Sequence, residues 1–361
     1  MGANPLLGLI FHWLGGLASA SFYIPFRRVR RWSWETYWLV GGVFSWIVAP
    51  IGFASFLVPD LWSILRAAEA KTVFWAYFFG ALWGVGGMTF GLTMRYLGIA
   101  LGMAVALGFC AAFGTLVPPI FDGKIGEIIT TESGRYVLLG VFFCVLGIAV
   151  SGLAGMSKER ELSAEQKTAT VKEFHFTKGI LVATFSGVMS ACFAYGLAAG
   201  KPIGDAAAKI LGDSGHASLW QNLPVLVVVL LGGFTTNFLS CVWLNWKNRS
   251  GGEYLNLGAE SEPAPLGINY LFSAIAGLTW YLQFFFYSMG QTKMGKYEFS
   301  SWSLHMASII IFSTLWGAAL KEWKGTSLRT HILVAIGLAI LVGSMFVVGY
   351  GNSLAVQAAG R

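Results

Sequence analysis

His12 lies in the run LLGLIFHWLGGLASA, and Glu298 and His305 lie in KYEFSSWSLHMASIII. Lipid expels ionisable groups, so those inside such apolar runs are functional candidates by default. An imidazole titrates near neutrality and can exchange a proton. Glu298 and His305 are seven residues apart. On one continuous helix they would share a face, with Ser301 and Trp302 between them, as a proton relay requires. Glu298 also opens the expected helix, where a carboxylate simply complements the helix dipole. His12 recurs at helical spacing with Gly15, Gly16 and Ser19, a stripe ill suited to lipid. His12, Glu298 and His305 are therefore the proton-coupling candidates.

A second group suits an uncharged ligand rich in hydroxyls. Trp280, Gln283 and Tyr287 share one face of the run LTWYLQFFFYSMG. Aromatic rings stack on the C–H faces of a sugar, and an amide offers its hydroxyls both a donor and an acceptor. Trp302 and Asn237 join them as substrate-binding candidates. Arg95 ends an apolar run and is a gating candidate or a snorkelling anchor. Cys110, Cys144, Cys192 and Cys241 fall within apolar runs without metal spacing and read as small buried hydrophobes. No metal site is expected. The sequence has no Walker-type glycine loop, HExxH, GxSxG or paired CxxC, which argues against ATP hydrolysis and against the enzymes those motifs mark. The expectation is a protein that is not an enzyme and needs no cofactor. An ion gradient, or the substrate's own gradient, would drive it.

The elements that must position these residues follow from hydropathy. The 361 residues are 56% hydrophobic and 11% charged, with a mean hydropathy of +0.65; a soluble domain carries roughly 25% charged residues. The net charge of +7 sits in loops and is not a nucleic-acid footprint. The expected partners are membrane lipid and a small sugar, with no nucleic acid and no obligate protein partner. Bilayer-length apolar runs occur at residues 5–25, 36–58, 73–95, 99–119, 136–155, 178–199, 220–244, 267–290, 298–320 and 329–350. The expected fold class is all-α, a polytopic membrane protein with ten transmembrane helices. Gly16-Leu-Ala-Ser19-Ala20-Ser-Phe22 matches Gly187-Val-Met-Ser190-Ala191-Cys-Phe193, and Gly41-Gly42 matches Gly232-Gly233, in the same order. Residues 1–155 are thus expected to form a first five-helix repeat, 156–177 a cytoplasmic linker, and 178–361 a second repeat with a short C-terminal tail. Five is odd, so the repeats would be inverted, a common plan of secondary transporters. Fifteen of the 24 Lys and Arg residues fall in odd-numbered loops, which places those loops in the cytoplasm and both termini in the periplasm. The first segment is expected to be a retained helix, because its charges, Arg27 to Arg31, follow the apolar run.

Phe22-Tyr-Ile-Pro-Phe26, Trp32-Ser-Trp-Glu35, Leu92-Thr-Met-Arg-Tyr-Leu-Gly98, Trp280-Tyr-Leu-Gln-Phe-Phe-Phe-Tyr287, Ser301-Trp-Ser-Leu-His-Met306 and Leu320-Lys-Glu-Trp323 occur in this order along the chain. In these motifs the sequence resembles the L-rhamnose–proton symporter family of the drug/metabolite transporter superfamily. The resemblance implies five-plus-five inverted repeats, a bacterial inner-membrane setting, and alternating-access uptake of L-rhamnose with a proton as the coupling ion. The residues themselves leave open a different 6-deoxy sugar or small metabolite, or a membrane sugar sensor that does not transport.

Overall fold

The computed structural model describes residues 3–97, 99–161, 175–212, 217–257, 263–321 and 323–359. Among these the chain is helical and no strand occurs. The long helices in order are α1 (Pro5–Ser21), α2 (Trp34–Leu57), α3 (Ala70–Leu97), α4 (Ile99–Phe121), α5 (Glu132–Glu161), α6 (Phe176–Ala199), α7 (Leu223–Asn248), α8 (Leu266–Gln291), α9 (Ser301–Ala319) and α10 (Leu328–Ala359). α2 is continuous but widens into a π-turn at Phe44–Val48. Among the described residues, nine of the long helices are apolar enough to cross a membrane, and the chain is a polytopic α-helical membrane protein. The exception, α8, is long enough but less apolar. It carries Asn269, Ser273, Gln283 and Ser288, all buried. Protein rather than lipid covers that face, so its polar groups avoid the cost of hydrocarbon.

The helices pack in a repeating pattern. α1 lies on α8 and α9, and α6 lies on α3 and α4. α2 crosses α8, α7 crosses α3, and α5 runs along α10. The detail repeats as well. Asn4 caps α1, its Oδ1 accepting from the Leu7 N–H at 3.1 Å, while its own N–H donates to the Lys293 carbonyl at 2.9 Å. His175 caps α6 in the same way: its Nδ1 accepts from the Lys178 N–H at 3.4 Å and its N–H donates to the Tyr96 carbonyl at 3.1 Å. A β-carbon on Gly8 would meet Lys293 and Met294; one on Gly179 would meet Tyr96 and Leu97. Gly16 abuts Ser308 and Ile309, and Gly187 abuts Phe109 and Cys110. Asn4, Gly8 and Gly16 keep the same register as His175, Gly179 and Gly187.

Three expectations change. The helix expected at 298–320 starts at Ser301, and Glu298 sits in a separate 3-10 turn, Gly295–Ser300. Tyr297 breaks the helix there at φ −108° and ψ 45°, and Gly295 takes φ +68°. The Tyr297 hydroxyl is held 2.9 Å from both Thr131 Oγ1 and Ser133 Oγ, so the turn is pinned to the start of α5 instead of extending α9. Glu298 and His305 therefore do not share a face of one helix. Second, α5 runs to Glu161, into the stretch expected as linker, whose residues 162–174 lie outside the described residues. The Glu161 carboxylate accepts from Ser327, both from its N–H and its hydroxyl at 2.6 Å, which fixes this helix end. Third, α10 continues to Ala359, where a tail was expected after Tyr350. Asn352 on that extension is buried and donates to Ser300 Oγ at 3.1 Å.

The glycines of α3 divide into two kinds. At Gly80 a β-carbon would enter the backbone of Val229, and at Gly84 it would meet Thr236 and the Gly233 carbonyl. Gly87 and Gly91 face open space. Small residues at the first pair let two backbones touch. Gly80→Val should force α3 and α7 apart, an overpacking cost of about 1–3 kcal/mol. A drop of several degrees in the thermal midpoint in detergent is expected, against no drop for Gly91→Ala. Equal midpoints would remove the distinction.

Candidate functional site

The site forms where α1 crosses α8 and α9. His12 is the eighth residue of α1, roughly 10 Å along the helix from its N-terminus. Its side chain is fully buried. Room for the imidazole comes from Gly290 on α8, where a β-carbon would stand 2.7 Å from His12 Cε1. One turn on, Gly15 makes room for a second imidazole: a β-carbon there would lie 3.2 Å from His305 Cε1. His305 is likewise buried.

Tyr287 stands between the two rings. Its centroid is 5.5 Å from that of His12 and 5.2 Å from that of His305, the latter edge to face. Trp302 closes the far side, 5.6 Å from Tyr287 and 6.3 Å from His305. The Trp302 indole fills the place of a missing β-carbon at Gly114 and donates its N–H to the Cys110 carbonyl of α4 at 3.0 Å. Gln283, one turn before Tyr287, is buried, and its Nε2 has no partner among the described residues. The same holds for both ring nitrogens of His12 and of His305. Most buried polar groups in proteins are hydrogen-bonded, and an unpaired one is costly. Five such nitrogens around one crossing are a set of donors and acceptors suited to exchangeable protons and hydroxyls.

The Gly295–Ser300 turn covers this crossing at the end of the molecule that carries the N-terminus. Lys296 Nζ lies 2.6 Å from Glu127 Oε1, and Lys201 Nζ lies 3.6 Å from Glu298 Oε1. Donation from Lys296 holds the Glu127 carboxyl below the usual carboxylate range. All four side chains are about half exposed, so these pairs position the turn more than they stabilise it. Asn222 Nδ2 donates to Gln291 Oε1 at 3.3 Å on the same end.

A family model described as L-rhamnose-proton symport protein (RhaT) matches residues 1–354. The chain belongs to the L-rhamnose-proton symport protein family. It is 38% identical over 348 residues to the L-rhamnose-proton symporter of Cronobacter sakazakii (strain ATCC BAA-894), covering 96% of this chain and 97% of that one. It is 37% identical over 351 residues to those of Yersinia pestis (strain Pestoides F) and Yersinia pseudotuberculosis serotype O:1b, covering 96% of this chain and 98% of each. The L-rhamnose-proton symport family is one of transporters, and this chain is not an enzyme.

Within this symport-family fold the sequence candidates fall into four places. His12, His305, Tyr287, Gln283 and Trp302 come together at the crossing. Trp280 and Asn237 lie on the other side of a bridge of rings. Phe284 is 6.0 Å from Trp280 and 4.7 Å from Phe193, which in turn is 6.2 Å from Tyr287. Asn237 accepts from Trp38 Nε1 at 3.3 Å and donates to the Gly233 carbonyl at 2.9 Å. Glu298 is in the covering turn, and Arg95, near the end of α3, has a side chain outside the described residues. Sequence reasoning missed Phe193 and Trp83, the central rings of the bridge, 5.2 Å apart. Phe193 was visible as the counterpart of Phe22 in the internal repeat; Trp83 left no such trace.

The glycine notches give a direct test. Gly15→Val and Gly290→Val should displace the imidazoles and lower transport at least tenfold, with normal amounts of protein in the membrane. Unchanged transport in both would separate the crossing from the function.

Proposed function

We propose that the chain carries L-rhamnose into the cell together with a proton, by alternating access, across the bacterial inner membrane. The observation that carries this reading is the buried His12–Tyr287–His305 cluster with its unpaired nitrogens, in a chain of the L-rhamnose-proton symport family. His305 and His12 exchange the proton. Glu298, at the mouth and held by Lys201, passes it between water and the imidazoles. Gln283, Tyr287 and Trp302 meet the sugar on one side of the aromatic bridge, and Trp280 and Asn237 on the other. Arg95 gates the opposite end. No cofactor takes part.

Two inverted five-helix repeats provide the rocking halves. Support comes from the packing: exchanging each helix of the first half with its counterpart in the second turns α1 on α8 and α9 into α6 on α3 and α4, and α2 on α8 into α7 on α3. In the shared register, His12 corresponds to Ala183 and His305 to Ala106, both buried in an apolar cluster with Phe90. Two equivalent helix crossings thus differ in chemistry. Only one carries imidazoles at these positions, as expected of residues kept for proton coupling and not for packing. Protonation must favour one access state over the other, since a ligand with equal affinity for both shifts nothing.

Uptake of labelled L-rhamnose into membrane vesicles tests the reading. An imposed inward proton gradient should drive accumulation, and an uncoupler should abolish it; accumulation that survives the uncoupler sinks proton coupling. His305→Gln should leave sugar exchange but remove accumulation, and Glu298→Gln should slow it. Full accumulation in both variants would remove the relay.

Both termini are assigned to the periplasm. A cysteine introduced at Asn4 should react with an impermeant maleimide added to intact spheroplasts, whereas labelling only after lysis reverses the orientation.

A further inference from the structure

Beyond the histidine crossing lies a second group of unpaired donors, on the far side of the aromatic bridge. Phe22, Phe26, Trp38, Trp46 and Trp280 wall a small box whose floor is Gly41, Gly42, Ser45, Ala276 and Gly277. Three donors in this box have no partner among the described residues: Ser45 Oγ, Trp46 Nε1 and Trp280 Nε1. Ser45 is 1% exposed and Trp46 is 4% exposed. Buried indole N–H groups usually find an acceptor. The fourth donor shows the ordinary outcome, since Trp38 Nε1 donates to Asn237.

Many helical hydroxyls of this chain bond the carbonyl one turn back, as Ser21 does to Leu17 at 2.7 Å, Thr279 to Ile275 at 2.8 Å and Ser308 to Leu304 at 2.8 Å. Ser45 does not, and both it and Trp46 lie in the π-turn of α2. A π-turn takes residues off the α-helical register and is frequent at functional sites. Here the register change coincides with two buried, unpaired donors on residues that line an aromatic box.

The chemistry of the box selects its ligand. No charged residue lines it, so it suits a neutral molecule. Indole N–H groups only donate, and therefore read oxygen lone pairs. Rings on several sides suit C–H faces and a methyl group. A 6-deoxyhexopyranose offers all of these. We infer that Ser45 and Trp46, with Trp280, form the hydroxyl-reading subsite for the sugar, and that the aromatic walls take its C–H face and methyl group. This rests on the sugar-transport reading above. The space between these residues is about 10 Å³, room for about one water. The box is thus too small for a sugar in this state, and the sugar is admitted when α2 and α8 separate at the close contact of Gly41 with Gly277.

The test is equilibrium binding of L-rhamnose to the purified full chain by calorimetry, with KM and maximal rate of uptake in proteoliposomes. Ser45→Ala and Trp46→Phe should each weaken binding about tenfold and raise KM more than they lower the maximal rate. A monodeoxy analogue lacking the hydroxyl read by Ser45 should bind the wild type about tenfold less tightly, yet bind Ser45→Ala as well as L-rhamnose does. If Trp46→Phe disturbs folding, Ser45→Cys keeps the inference testable: its conversion to a mixed disulfide by a small methanethiosulfonate should be slowed by L-rhamnose. Wild-type affinity in folded Ser45→Ala and Trp46→Phe, or thiol modification unaffected by saturating sugar, overturns the subsite. Failure of the wild type to bind L-rhamnose at all overturns the transport reading instead.

Discussion

Where α1 crosses α8 and α9, backbone meets backbone because glycine stands on both sides. Gly8, Gly15 and Gly16 come from α1 and Gly290 from α8. The rest of the molecule depends on that approach. It leaves ring-sized spaces that two imidazoles occupy, and it brings a tyrosine between them. A larger residue at any of these positions would push the helices apart and let in lipid or water. In a bilayer no solvent is available to satisfy a stray polar group. The close crossing is therefore also what makes unpaired nitrogens possible: they are shut away from everything except what the site admits.

The same crossing occurs twice and is used differently. The α6 crossing over α3 and α4 keeps an N-cap, the counterparts of Gly8 and Gly16, and the backbone bond of the α1 crossing, yet its imidazole positions hold Ala183 and Ala106. In the proposed reading the two crossings belong to two bodies that move, and chemistry placed at one of them gives the motion a direction. Around the polar crossing the covering turn is tied by exposed ion pairs, Lys296–Glu127 and Lys201–Glu298. Contacts of that strength hold a position and release it easily.

Between the histidine crossing and the box on α2 lies a bridge of rings, Trp83, Phe193 and Phe284. A sugar that occupies the box and a proton that occupies an imidazole act on the same helix, α8, which carries both Trp280 and Tyr287. Coupling then has a simple physical form. In the proposed reading, each ligand shifts the position of α8 relative to α1 and α2, and each thereby changes the affinity for the other.

Much of this was legible in the sequence. Apolar run length and the scarcity of charge fixed a multi-pass helical protein, and the intramembrane His12, Gln283 and His305 announced themselves because lipid excludes them. The close contacts showed in Gly16 and Gly187 because backbone contact tolerates only small residues there. Other features had no sequence signature. Whether Glu298 continues the helix of His305 depends on Tyr297 finding Thr131 and Ser133, partners far away in the chain. The π-turn at Phe44–Val48 arises in a run that reads as ordinary helix. That Ser45, Trp46 and Trp280 line one box is a fact of packing. Local periodicity records which residues avoid lipid. Only the crossing of helices remote in sequence decides which of them meet.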